Sequence, residues 1–385
     1  MVNNNDKKVL NVPALRFPEF SGEWKHVHLK EIAEFQKQRI STALLNNNNY
    51  ISTENILQDF EGIQCSSSMP ANVNVIKYQN EDILLSNIRP YLKKVWFADR
   101  KGGCSADVLV LRGNKCDKYF LYYVIASDRF INYVMSGIKG VKMPRGDKNQ
   151  MEEYAFSIPT NMEQKRIAKF ISILDERIRL QNKIIEDLKK LKSAIIDKLY
   201  SSTNGETYSF RQLFEVVNEK NKARAYKNVL SASQELGMIE RSDINIDIKF
   251  EQESISGYKI VRKGDYVVHL RSFQGGFAFS DRTGICSPAY IILRPNDLVV
   301  YSYLSHYFTS KPFIKSLKLV TYGIRDGRSI NVDEWLDMPI LLPPAQEQIR
   351  ILTIVNAIDA KLHNEVKVQF CLSSQKSYLL NTMFI

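Results

Sequence analysis

No stretch of this chain is apolar for anything near the ~18 residues a membrane-spanning helix requires, and the best runs, such as Leu121 to Ala126, are the size of a core segment. The chain opens Met-Val-Asn-Asn-Asn-Asp-Lys-Lys with no hydrophobic segment behind it, so no secretory signal is expected and a cytoplasmic location is. Cysteine is scarce. Five occur in 385 residues, an odd number without a Cys-x-x-Cys pair, which speaks against a disulfide framework and a zinc knuckle and suits a reducing compartment. The five histidines (His26, His28, His269, His306, His363) are scattered, without a His-x-x-x-His or a carboxylate at ligand spacing, so no metal site is expected.

Catalytic motifs are missing as well. There is no Gly-x-x-x-x-Gly-Lys loop, no Gly-x-Gly-x-x-Gly opening a helix, and no Asn/Asp-Pro-Pro-aromatic tetrapeptide of the kind that grips a flipped base. The Pro343-Pro344 pair is flanked by Leu342 and Ala345 and starts a helix. Cys104 and Cys286 lack a recurring histidine and read as small semi-buried residues before a strand. The expectation is a binding protein without catalysis of its own.

What the chain has is positive charge and a repeat. Lys and Arg number 53 against 42 Asp and Glu, a net +11, which points to a polyanion partner. Its length suggests two or three domains. Asp99-Arg100-Lys101-Gly102-Gly103-Cys104-Ser105, running on to Leu111-Arg112, returns as Asp281-Arg282-Thr283-Gly284-Ile285-Cys286-Ser287, running on to Leu293-Arg294. Seven positions of that ungapped stretch are identical, where chance gives about one. The register continues through Gly140, Lys142 and Arg145 against Gly323, Arg325 and Arg328, and through Glu163-Gln164 against Glu347-Gln348. A repeat this long is a duplicated domain, not a solenoid.

Each copy runs from short β-rich segments, through a helical stretch and a polar glycine-containing loop, to a short apolar strand ending at proline, and then a long helix. In the first helix a 4,3 walk meets Ile167, Ile171, Leu174, Ile178, Gln181, Ile185, Leu188, Lys192, Ile195 and Leu199. The second meets Ile351, Val355, Ile358, Leu362, Glu365, Gln369, Leu372, Lys376, Leu379 and Met383. These are coiled-coil seams, each about 60 Å long at ~1.5 Å per residue, too long to bury inside a small domain and so expected to pair with each other. The predicted fold is α+β: two pseudo-symmetric α/β domains separated by a pair of long antiparallel coiled-coil helices. The expected boundaries are 1–160, 161–203, 204–344 and 345–385.

The doubled plan resembles the specificity subunit of type I restriction–modification systems over essentially the whole chain. The opening Val12-Pro13-Ala14-Leu15-Arg16-Phe17-Pro18-Glu19-Phe20 with Gly22-Glu23-Trp24 is similar to that family's, as are the Pro-x-x-x-Glu-Gln helix starts at Pro159–Gln164 and Pro343–Gln348. No second Leu-Arg-Phe-Pro-Glu-Phe element precedes the second domain. The resemblance implies a non-catalytic subunit that reads double-stranded DNA, one half-site of a bipartite asymmetric target per recognition domain. It implies docking on the helices of two adenine methyltransferase subunits, joined by restriction subunits with helicase and nuclease activity. S-adenosylmethionine, ATP and Mg would then sit on the partners, with no cofactor in this chain. A stand-alone DNA-binding or scaffold protein is the alternative.

The repeat also sorts candidate DNA contacts. Residues common to both copies cannot alone encode two different half-sites, so Lys142, Arg145, Arg325 and Arg328 are expected on phosphate. Arg89, Lys93 and Lys94 in the first domain, and Arg271, Ser272 and Gln274 in the second, are expected at base edges, since Arg and Lys suit guanine and Gln suits adenine. The apolar seam residues Ile167, Ile171, Leu174, Ile178, Ile185, Leu188, Ile195, Leu199, Ile351, Val355, Ile358, Leu362, Leu372 and Leu379 are expected to carry helix pairing and partner docking.

Overall fold

The computed structural model describes residues 11–65, 68–138, 143–202, 204–233, 236–243, 252–269, 276–322 and 329–385. It divides into two compact units, Met1–Gln181 with Val368–Ile385, and Asn182–Lys367. Each unit thus owns part of both long helices, Asn161–Ser201 and Ala345–Met383.

In the first unit, a four-stranded antiparallel sheet runs in the order Ala33–Phe35, Val108–Gly113, Ile83–Ser86, Val95–Phe97. Alternation along Ile83-Leu84-Leu85 assigns its two faces. Ile83 and Leu85 join the core under the helices Lys118–Ile125 and Asp128–Ser136, while Leu84 faces a second cluster with Tyr78, Trp96, Val108 and Val110. That second cluster lies under another sheet, ordered Arg39–Ser41, Asn74–Tyr78, Gly102–Cys104, Tyr50–Ile51, whose last pairing is parallel. Gly102 is required here, because a Cβ would collide with the Asn49 carbonyl and the Tyr78 ring.

The second unit repeats the order with Phe214–Val217, Ile291–Pro295, Tyr266–Val268 and Phe277–Phe279. Tyr266 and Val268 face its helical core, and Val267 faces the other side. Where the first unit has its second sheet, separate pairs stand here, Lys259–Val261 with Gly284–Cys286 and Leu230–Ser233 with Gly237–Glu240. A single parallel bridge from Val229 to Ile285 takes the place of the Tyr50–Ile51 pairing. Gly284 answers Gly102, hemmed in by Asn228 and Leu230. Cys104 and Cys286 are fully buried, and burial pushes both thiols up to about 12, so neither is a nucleophile near neutrality.

Both copies carry the same buried ion pair. Arg112 clamps the Asp82 carboxylate through Nε and Nη2, each at 2.7 Å, while the Gln79 amide donates to the same carboxylate. Arg294 grips Asp265 likewise, at 2.9 Å through both nitrogens. Gln164 and Gln348 tie the helix starts to their domains. Their side-chain oxygens accept from the Asp117 and Val300 amides, and their Nε2 atoms donate to the Pro159 and Pro343 carbonyls.

Every seam position, the polar ones included, is buried or half-buried. The helices pair as expected, and the ends of the seams also lie inside the domain cores. Ile167, Ile171, Leu174, Leu372 and Leu379 belong to the first unit's core, and Ile351 and Val355 to the second's, where Ile196, one position off the expected seam, is buried in place of the half-buried Ile195. The helices thus pack on the domains as well as on each other. In the first unit the helices run antiparallel: Gln164 and Phe384, at opposite helix ends, both meet the Lys118–Ile125 helix and its N-cap. The lysines that interrupt the seams are paired, Lys376 with Asp175 at 2.6 Å and Lys192 with Asp359 at 2.5 Å.

The half-buried His306 imidazole sits near this second pair. Burial, then the Lys192 ammonium, hold its pKa below the ordinary value, and Asp359 and a hydrogen bond with Asn356 only partly oppose them. A depressed imidazole contributes stability above its unfolded pKa of ~6.5 and loses it as pH falls toward the folded value. Urea midpoints taken from pH 7 down to 5.5 should therefore drop less in His306→Gln than in the parent chain. Parallel curves would remove His306 from the acid response.

Candidate nucleic-acid interface

Strands Ile83–Ser86 and Val95–Phe97 form a hairpin closed by the Ser86 amide donating to the Lys94 carbonyl at 2.9 Å. Its tip carries Arg89, Lys93 and Lys94. The polar loop before the helix Lys148–Glu152 comes up beside it, for Ile88 bridges Arg145 and the Arg89 amide donates to the Pro144 carbonyl at 2.9 Å. The tip expected to read bases and the loop expected to hold phosphate are thus adjacent.

The side chains differ in what they are free to do. Arg89 is exposed, and its guanidinium makes no hydrogen bond or ion pair with the described residues. Tyr91, which sequence reasoning passed over, is 47% exposed at the same tip, and Met143 is exposed on the neighbouring loop. Arg145 is exposed and contacts Asp107 at 3.0 Å, a surface pair that a phosphate could displace. Lys94 donates to the Thr53 carbonyl at 2.8 Å, and Lys93 is bound to Asp128 at 2.8 Å. Those two ammonium groups hold protein.

In the second unit, strands Tyr266–Val268 and Phe277–Phe279 form the matching hairpin, closed by the His269 amide donating to the Gly276 carbonyl. Arg271, Ser272 and Gln274 fall between those closing residues, so candidates chosen separately in the two copies occupy the same connection of the repeated fold. These three, with Lys142, Arg325 and Arg328, lie outside the described residues. No helix among the described residues is long and apolar enough to cross a membrane, and no group of three His, Cys, Asp or Glu there is placed to hold a metal.

The opening segment is bound to the first unit. Arg16 reaches the buried Glu163 through Nε and Nη2 at 2.7 and 2.8 Å, Phe17 meets Phe170 edge-on at 5.7 Å, and Arg166 lies over the Phe17 ring. Glu347, the counterpart of Glu163, instead takes Arg350 one helical turn on. The unrepeated Leu-Arg-Phe-Pro-Glu-Phe element thus explains why one glutamate is buried and the other is not.

The family model described as "Type I restriction modification DNA specificity domain" matches this chain twice, over residues 21–190 and 205–369. The chain belongs to that family. Among curated relatives, this specificity-domain chain is 29% identical over 208 residues to the type I restriction enzyme MjaVIII specificity subunit of Methanocaldococcus jannaschii. That match covers 51% of this chain and 46% of the relative, a little under half its length. The putative MjaX specificity subunit of the same organism is 23% identical, over 72% of this chain and 70% of that one. Two solved structures share the fold. The type I restriction–modification S subunit from M. genitalium has a TM-score of 0.56 at 15% identity, covering 97% of this chain and 99% of that one. A chain solved in a study of complex assembly and conformational transition of the type I R-M system has a TM-score of 0.59 at 17% identity, covering 93% and 96%. Both specificity domains of the present chain therefore sit on a shared architecture.

Proposed function

We propose that this chain is the DNA-recognition subunit of a cytoplasmic type I restriction–modification complex and has no catalytic role itself. Each unit reads one half-site of a bipartite, asymmetric target. The observation that carries this reading is one hairpin built twice on one framework with different tips, Arg89-Pro90-Tyr91-Leu92-Lys93 in one copy and Arg271-Ser272-Phe273-Gln274-Gly275 in the other. A constant frame with exchangeable tips suits two unlike half-sites. The net charge of +11 supplies the attraction to phosphate.

The long helices carry the partners, two adenine methyltransferase subunits and the restriction subunits that join them. S-adenosylmethionine, ATP and Mg are bound by those partners. Because the seam residues turn inward, docking falls on the apolar side chains one position before them, Phe170, Ile173, Leu180, Ile184 and Leu191, which are all exposed. Mapping methylated adenines genome-wide, in cells with and without the gene, tests the proposal. A split motif that vanishes on deletion is expected, and an unchanged methylome in a strain with active partner subunits would sink it. Within that motif, Arg89→Ala should cost ~1–3 kcal/mol and relax one half-site only. Relaxation of both halves together would show a folding defect instead.

A further inference from the structure

The first hairpin tip is held in a costly conformation by a second loop. Arg89 and Lys93, at either end of the turn Pro90–Leu92, have φ of 51° and 53°, in the left-handed region. Asp59 and Phe60 on the neighbouring loop have φ of 52° and 63°. The two loops are tied by backbone, the Asp59 amide donating to the Leu92 carbonyl at 3.2 Å and the Phe60 amide to the Lys93 carbonyl at 3.0 Å. Of eight non-glycine residues with positive φ among those described, four lie in this pair of loops. Left-handed backbone disfavours a residue with a Cβ, and such strain persists only where its surroundings over-determine it. The surroundings here include the Lys93–Asp128 ion pair at 2.8 Å, with Asp59 4.0 Å from the same ammonium.

We propose that Lys93 is a positioning residue, anchored to Asp128 at the start of the helix Asp128–Ser136, and that it sets the tip so that Arg89 and Tyr91 meet the bases. The lysine does not itself touch DNA. The Lys93 ammonium is held by Asp128 with Asp59 beside it, whereas the Arg89 guanidinium has no hydrogen bond or ion pair with the described residues. Tyr91 stands beside Arg89 with its ring in solvent. Asp128 thereby becomes a determinant of sequence choice without facing the DNA.

This inference rests on the DNA-reading role above, and the test separates the two. Full-length complexes with Lys93→Met, with Asp128→Asn, and with the exchange Lys93→Glu plus Asp128→Lys would be compared. Two readouts are needed: binding to a random-sequence duplex across a salt series, and the methylated motif in cells. Each single substitution should leave the salt slope at the parent value while relaxing one half-site about tenfold, the other half-site staying strict. The exchange, which restores the pair with reversed signs, should recover discrimination. A slope reduced by about 0.9 in Lys93→Met would place that ammonium on a phosphate and overturn the proposal. An unrelaxed half-site in both single variants would overturn it too. A parent complex with no salt-dependent binding to the duplex would overturn the DNA-reading role itself.

Discussion

Arg112→Ala should destabilise the first unit by about 3 kcal/mol, the low end of the range for breaking a buried ion pair by removing one partner. Asp82 is only 2% exposed and takes two of its hydrogen bonds from this guanidinium. With Arg112 gone, the carboxylate keeps one backbone donor, from Gln79, and little water. The low end applies because Arg112 retains 28% exposure, so solvent already shares part of the charge. Arg294→Ala should act equally on the second unit, where Asp265 is 2% exposed. Urea unfolding followed by hydrogen exchange would place each loss in its own unit. A loss under about 1 kcal/mol would show that the aspartate finds other donors or is protonated at little cost.

Larger still is the expected effect of charge in the seam. Ile171 and Val355 are completely buried, each inside the core of its unit. Ile171→Asp or Val355→Asp removes a side chain worth ~1.5–3 kcal/mol of burial and adds an unpaired carboxylate, so a loss beyond about 4 kcal/mol is expected. Ile178 and Leu188 are half-buried, and aspartate there can reach water. Replacing both should leave the domains folded but part the helices, with loss of the partner subunits in co-purification. An intact complex from the Ile178→Asp and Leu188→Asp double variant would exclude the seam as the element that spaces the partners.

Much of this architecture is legible in the sequence alone. The duplication is a matter of register, and the matched Gly102 and Gly284, Cys104 and Cys286, and Arg112 and Arg294 mark the same structural positions in both copies. A 4,3 spacing is a local property of one helix, so the inward face could be drawn residue by residue, and no position on it is exposed. Short β-rich segments are legible in each copy, but their pairing into hairpins comes from the structure.

What sequence did not reveal is who meets whom across long chain separations. Lys192 and Lys376 looked like flaws in an apolar seam, and only tertiary structure supplies Asp359 and Asp175 to neutralise them. The cations Arg89, Lys93 and Lys94 were equivalent on paper. Folding binds one lysine to Asp128 and the other to the Thr53 carbonyl, and it leaves Arg89 open. Charge and periodicity are written along the chain and can be read there. Which charge stays unpaired depends on distant segments brought within hydrogen-bonding reach, and that is decided only when the chain closes on itself.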